Sequence, residues 1–207
     1  MIKTSIKCFW IRGLSRKYEN SVDFWYDKCH TPDVDLWFTF KNSSLKNLVL
    51  SDCQLNPSGR VSWTGLISLS ISHLKLTDGV MENILSGCSN LESLQLEWVC
   101  GLRRLEISSE KLTKLILKSS GENLLEISAP YVKKLQILDS CNRMALLLRN
   151  VSSLVTAFKP ELYYCDREDK LERVCNCFKE LLQSVAHVEN LELGPNCVEV
   201  YSYSSLS

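Results

Sequence analysis

Apolar residues recur along this chain in the order L-x-x-L-x-L. The units are Leu45-Leu48-Leu50, Leu66-Leu69-Ile71, Leu91-Leu94-Leu96, Leu112-Leu115-Leu117 and Val132-Leu135-Ile137. Their starts advance by 21, 25, 21 and 20 residues. A weaker unit, 154–158, begins 22 residues later, and Val188-Leu191-Leu193 begins a further 34 residues on. Inside each unit apolar and polar positions alternate, the period of a strand with one buried face. A fixed short period around this motif marks a leucine-rich-repeat solenoid, whose units bury their leucines by stacking on one another. The predicted fold is an α/β solenoid of irregular repeats of about 20–25 residues, with short parallel strands and few helices. The strands are predicted near 45–50, 66–71, 91–96, 112–117, 132–137, 154–158 and 188–193.

A second register lies half a period away. Leu102-Leu105-Ile107 and Leu124-Leu125-Ile127 read as short extended segments crossing the opposite side of the coil. Residues 105–120 and 125–140 agree at seven of sixteen positions at an offset of twenty, including Glu106/Glu126 and Lys114/Lys134. The consensus turn position after each strand is occupied by Cys53, Leu74, Val99, Ser120 and Ser140, which predicts irregular curvature.

Two helices interrupt the strands. Thr77 or Asp78 can cap one that runs through Ser86, since a side-chain oxygen there accepts orphan backbone N–H groups. Val80, Met81, Ile84 and Leu85 form its apolar face, and Gly87 is expected to stop it in a left-handed conformation. The second is predicted to start at Asp169, with Glu172 completing a capping box. Leu171, Val174, Phe178, Leu181, Leu182 and Val185 form one stripe. Residues 1–40 hold nine of the eighteen aromatics and read as a degenerate N-terminal repeat or edge, with strands at 6–11, 22–26 and 36–40. The organisation expected is this edge, then repeats over 41–160, a helix and final repeat over 161–200, and a frayed tail at 201–207.

Composition narrows the function. Formal net charge is zero, so the whole molecule has no electrostatic case for nucleic acid or a membrane surface. No run approaches the roughly 20 apolar residues of a membrane span, and the N-terminal apolar runs, broken by Lys7 and Arg12, are too short for a signal peptide. Ten cysteines could form a disulfide framework in a small secreted chain. Here they read as reduced thiols, which places the chain in the cytoplasm or nucleus. The sequons at Asn42 and Asn150 are then chance.

Candidate chemistry is sparse. Cys175-Asn176-Cys177, with Cys165 and His187, lacks zinc-ligand spacing, and C-x-C on a helix points two ways, so no metal site is expected. His30, His73 and His187 accompany no nucleophile motif, and no glycine-rich phosphate loop occurs. His73 is expected on a surface rim. Glu106 and Glu126 read as one rung position seen twice, and Asp27, Asp33, Asp35 and Asp52 as solvated loop carboxylates. No enzyme, cofactor or metal is predicted. The informative positions are those between the leucines, which alternation turns outward. They are Val49, Ser70, Ser72, Gln95, Glu97, Ile116, Lys118 and Gln136, with Ser51 and Leu138 beside them. Their mixed polar and apolar character suits a protein partner gripped between residues 45 and 140, with little dependence on salt.

The phrases NSSLKNLVLSDCQLNPSG from Asn42, VSWTGLISLSI from Val61, ILSGCSNLESLQL from Ile84 and GLRRLEISS from Gly101 resemble plant F-box/leucine-rich-repeat proteins. The FBD-associated group is especially similar. LEISAPYVKKLQI from Leu125, VSSLVTAF from Val151 and LLQSVAHVENLELGPNCVEV from Leu181 follow in that group's order, so the resemblance covers roughly 36–200. It implies the substrate-recognition part of a Skp–cullin–F-box ubiquitin ligase, with an unknown substrate protein as partner. Residues 1–40 show no F-box pattern, so a Skp-type adaptor is expected as a partner only if an F-box lies upstream. The alternatives are a stand-alone scaffold or decoy with no ligase role, and a sensor holding a small molecule on its concave face.

Overall fold

The computed structural model describes residues 8–12, 43–51, 55, 59–118, 125–138, 146–159, 176 and 178–194. Its principal element is a parallel sheet of β1 (Cys8–Arg12), β2 (Asn47–Ser51), β3 (Ser68–Ser72), β4 (Ser93–Glu97), β6 (Lys114–Lys118), β8 (Lys134–Ile137), β10 (Thr156–Lys159) and β11 (Asn190–Leu193), in that order. On the other side of the coil runs a smaller parallel sheet of β5 (Arg104–Glu106), β7 (Leu125–Ser128) and β9 (Leu146–Arg149). Each strand pairs with the strand one coil away, so the chain advances as a solenoid.

All seven predicted strands are present, but each begins two residues after its motif does. The first apolar residue of the motif closes a turn instead. Leu66 N–H donates to the Trp63 carbonyl, Leu91 to Cys88, Leu112 to Ser109, Val132 to Ala129, Leu154 to Val151 and Val188 to Val185. This four-residue turn leaves that side chain buried at the coil corner (Val188 is only half-buried), and the ladder starts after it. The second and third apolar residues then stack in register as two inward rows. Leu48, Leu69, Leu94, Leu115, Leu135 and Ala157 form one; Leu50, Ile71, Leu96, Leu117 and Ile137 form the other. All are buried, in a core continuous from coil to coil. The drop from leucine to Ala157 leaves a small apolar cleft where Leu181, Leu182 and Val185 meet Leu135 and Ile137.

The predicted second register forms the smaller sheet, and β9 extends it beyond the expected region. Its pairing corrects one sequence reading. Arg104 lies opposite Glu126 and Glu106 opposite Ser128, a shift of twenty-two residues rather than twenty. Glu106 and Glu126 are therefore not one rung position. Each instead meets an arginine: Arg104 to Glu106 at 2.8 Å and Arg149 to Glu126 at 3.3 Å.

Helix α1 (Asp78–Ser86) is capped by Thr77, whose hydroxyl accepts the Val80 N–H, and it buries Met81 and Ile84. Asp78 ties the helix to the next coil by accepting N–H bonds from Arg103 and Arg104 at 2.9 and 3.2 Å. Gly87 is not the left-handed stop expected. Its φ is −85°, an ordinary helical value, and the need for glycine is close approach. A β-carbon there would lie 2.4 Å from the Val61 carbonyl oxygen of the preceding coil. The second helix is described at 176 and 178–184, with Phe178, Leu181 and the following Val185 buried as the stripe requires. Its predicted start at Asp169 and capping box lie outside the described residues, as do Leu171 and Val174. So do the strands at 22–26 and 36–40, the tail 201–207, and turn positions Cys53, Ser120 and Ser140. The edge strand predicted at 6–11 is described at 8–12, in parallel register with β2. No described helix is long and apolar enough to cross a membrane.

Candidate interaction face

Every position between the inward leucines of β2, β3, β4, β6 and β8 lies on the outer side of the large sheet. The pleat sends successive side chains to opposite faces, and the leucines claim the inner one. Parallel register then gathers residues some twenty apart into rows. Val49, Ser70, Gln95, Ile116 and Gln136 are successive cross-strand partners in one row. Ser51, Ser72, Glu97 and Lys118 form a second row toward the strand C-termini. All eight residues singled out from the sequence are thus on one face, and all are half-buried by their row neighbours.

The second row is internally bonded. Lys118 Nζ lies 3.2 Å from a Glu97 carboxylate oxygen, which also accepts from Gln95 Nε2 at 3.4 Å. Ser72 Oγ donates to the Leu50 carbonyl at 3.5 Å. Beyond this row, His73 and Trp98 follow β3 and β4 as a stacked pair, with ring centroids 6.4 Å apart and planes 15° from parallel. Both adopt left-handed backbone, φ 53° and 51°, which L-residues visit at a cost. Their amides hold them there by donating to the Glu97 and Lys118 carbonyls, each at 2.9 Å. Trp98 stays 44% exposed. His73 is half-buried on this rim, where sequence placed it, but its aromatic partner was missed.

A third row was missed as well. Asn47, Ser68, Ser93, Lys114, Lys134, Thr156 and Asn190 are successive partners at the first position of each strand. The sequence carried the signal: carrying the alternation one step before the second leucine reaches all five residues from Asn47 to Lys134. The face thus changes along its length, small and neutral over β3 (Ser68, Ser70, Ser72) and lysine-bearing over β6 and β8.

Elsewhere the chemistry is structural. Cys88 is a free thiol that burial pushes from 9.0 up to about 12, and Cys100 Sγ lies 3.8 Å from the Leu74 carbonyl oxygen. His187 engages the Val151 carbonyl through Nε2 at 2.9 Å. Its three candidate cysteine partners lie outside the described residues, as do His30 and Asp27, Asp33, Asp35 and Asp52. Among the described residues no group of His, Cys, Asp and Glu has the arrangement of a metal site.

A parallel sheet facing outward on a stack of leucine rungs defines a leucine-rich-repeat interaction domain. Residues 9–156 match the family described as FBD-associated F-box protein At5g56370, LRR repeats, and the chain belongs to this plant F-box/leucine-rich-repeat family. It is 34% identical to the Arabidopsis thaliana F-box/LRR-repeat protein At3g03360, over 95% of this chain and 42% of the relative. It is also 34% identical to the F-box protein At5g03100 from the same plant, over 95% of this chain and 65% of the relative. F-box/LRR-repeat protein 25 is 38% identical over 50% of this chain and 42% of its own length. The chain thus spans between about two fifths and two thirds of the length of these relatives. No solved structure matches it.

Proposed function

We propose that this chain is the substrate-recognition part of an F-box-type ubiquitin-ligase adaptor, acting in the cytoplasm or nucleus. It binds a target protein by surface complementarity and contributes no catalytic step. The observation that carries this reading is the outward face, where at least five consecutive rungs align their side chains in register. Rigid aligned rows of this kind present a few anchors to a partner without reorganising. The names of the relatives support the ligase context, and the free thiol of Cys88 suits a reducing compartment.

The second reading is a scaffold or decoy that binds the same target without delivering it. It uses the same outward face and differs only in whether a ligase is engaged. The experiment is a crosslinking map with a partner recovered from plant extract, followed by reconstitution of the protein as purified from the plant with a Skp-type adaptor and its ligase. Crosslinks at Gln95, Ile116 and Gln136, with ubiquitination of the partner, support the first reading. The same crosslinks without ubiquitination support the decoy. Crosslinks confined to 178–184 discard the face.

A further inference from the structure

Lys114 and Lys134 are direct cross-strand partners on the outward face of β6 and β8. Adjacent strands lie about 4.8 Å apart, so two ammonium-bearing side chains share one small patch. Like charges directly opposite destabilise a sheet. The neighbours in their row do nothing to offset this, being Ser93 on one side and Thr156 on the other. The next row beside them is Ile116 and Gln136, also uncharged. Glu97, on the next strand, already bonds Lys118, and Glu192, in the row of Gln136 and Phe158, stands two strands away on β11. Glu92 precedes Ser93 at the edge of the sheet, but it meets Lys114 through its backbone carbonyl, which accepts the Lys114 N–H at 3.1 Å. Lys133, exposed at the same edge, adds a further positive charge. Among the described residues neither Lys114 nor Lys134 has an ion-pair partner.

From this uncompensated pair we infer that the β6–β8 part of the face receives an acidic segment of the partner protein. Carboxylates meet Lys114 and Lys134, and an apolar side chain rests on Ile116 between them and Lys118. Net neutrality of the whole chain does not oppose this, because screening restricts an exposed charge to about 8–10 Å. A nucleic acid is the poorer fit. The patch is short, holds no arginine and is followed by an apolar residue and a glutamine rather than a basic stripe. The inference rests on the proposed role of the face and specifies which partner chemistry its lysine-bearing end accepts.

The test uses the full chain and a fluorescein-labelled peptide alternating glutamate and leucine, with a glutamine-for-glutamate peptide and a single-stranded oligonucleotide as comparisons. Fluorescence anisotropy should show saturable binding of the acidic peptide that weakens as salt rises, in place of the small salt dependence expected from zero net charge alone. The double variant K114Q/K134Q should bind it about tenfold more weakly, equivalent to 1.4 kcal/mol, while K114R/K134R retains it. Urea denaturation checks that K114Q/K134Q is folded, and its midpoint should equal or exceed the parent's, since a repulsion is removed. No binding of the acidic peptide, equal affinity for the glutamine peptide, tighter binding of the oligonucleotide, or undiminished affinity in K114Q/K134Q each overturns the inference. The outcome for the face itself is read separately, from the crosslinking map. A partner that still crosslinks to Gln95 and Ile116 when both lysines are replaced leaves the face standing and removes only its acidic occupant.

Discussion

Replacing Leu115 with alanine probes the rung stack at its centre. Leu115 is 1% exposed, in the inward row between Leu94 on β4 and Leu135 on β8. The change removes three carbons from a dry interior. At about 0.8 kcal/mol per buried methylene, the transfer loss alone is about 2.4 kcal/mol. A cavity penalty is added, because Leu94 and Leu135 are fixed by their own strands and cannot move into the void. The total expected is about 3–4 kcal/mol, inside the roughly 2–5 kcal/mol range of leucine-to-alanine core changes. Leu94, fully buried one strand away, should behave alike. Gln95→Ala loses one long hydrogen bond to Glu97, and Lys118→Ala loses one partly exposed ion pair, so each should cost less than about 1 kcal/mol. Urea titration followed by circular dichroism reads these differences as shifts in midpoint at constant slope. A constant slope also shows that the coils still unfold together, which a repeat array need not do. Equal losses at Leu115 and Gln95, or a loss at Leu115 below 1 kcal/mol, would refute the assignment of inner and outer faces.

Gly101 has φ +90°, and a β-carbon there would lie 2.5 Å from the Leu76 carbonyl oxygen. Gly101→Ala should therefore cost more than the roughly 1–2 kcal/mol of left-handed strain alone, read by the same titration. Native-state alkylation at pH 8 should label half-buried Cys100 faster than buried Cys88, whose thiol is pushed up to about 12. That shift also sets a pH dependence. The unfolded chain loses the Cys88 proton at 9.0, while the folded chain holds it to about 12, so its contribution to stability is full below pH 9 and falls as pH rises between the two. C88A should show a shallower decline than the parent over that window in paired urea titrations. Alkylation of the unfolded chain without reductant should label most of its ten cysteines, and four or five bridges by mass spectrometry would contradict a reducing compartment. A pull-down with purified Skp-type adaptor should recover none of the 207-residue chain, because the sequence of residues 1–40 carries no F-box pattern.

Strand identity and the inner face were legible because a leucine-rich rung is a local pattern. Two apolar residues spaced by one, preceded by a third three residues earlier, place themselves without knowledge of any neighbour. The eight outward residues from Val49 to Gln136 were legible for the same reason, as the remainder of that alternation. Helix α1 was legible from Thr77 and its apolar stripe, both effects of adjacent residues. What sequence could not decide was everything set by one coil against another. The first leucine of each motif reads as strand, and only the turn it closes at the coil corner removes it from the ladder. Gly87 reads as a helix stop, yet its lack of a side chain matters because the Val61 carbonyl of the previous coil passes over it. Glu106 and Glu126 align at twenty residues in the sequence and sit two positions apart in the sheet, because register follows the lengths of the intervening turns. The lysine pair at 114 and 134 and the stacked His73 and Trp98 belong to this second class. Each residue is unremarkable alone and gains its meaning from hydrogen-bonded strands that bring distant parts of the chain within a few ångströms.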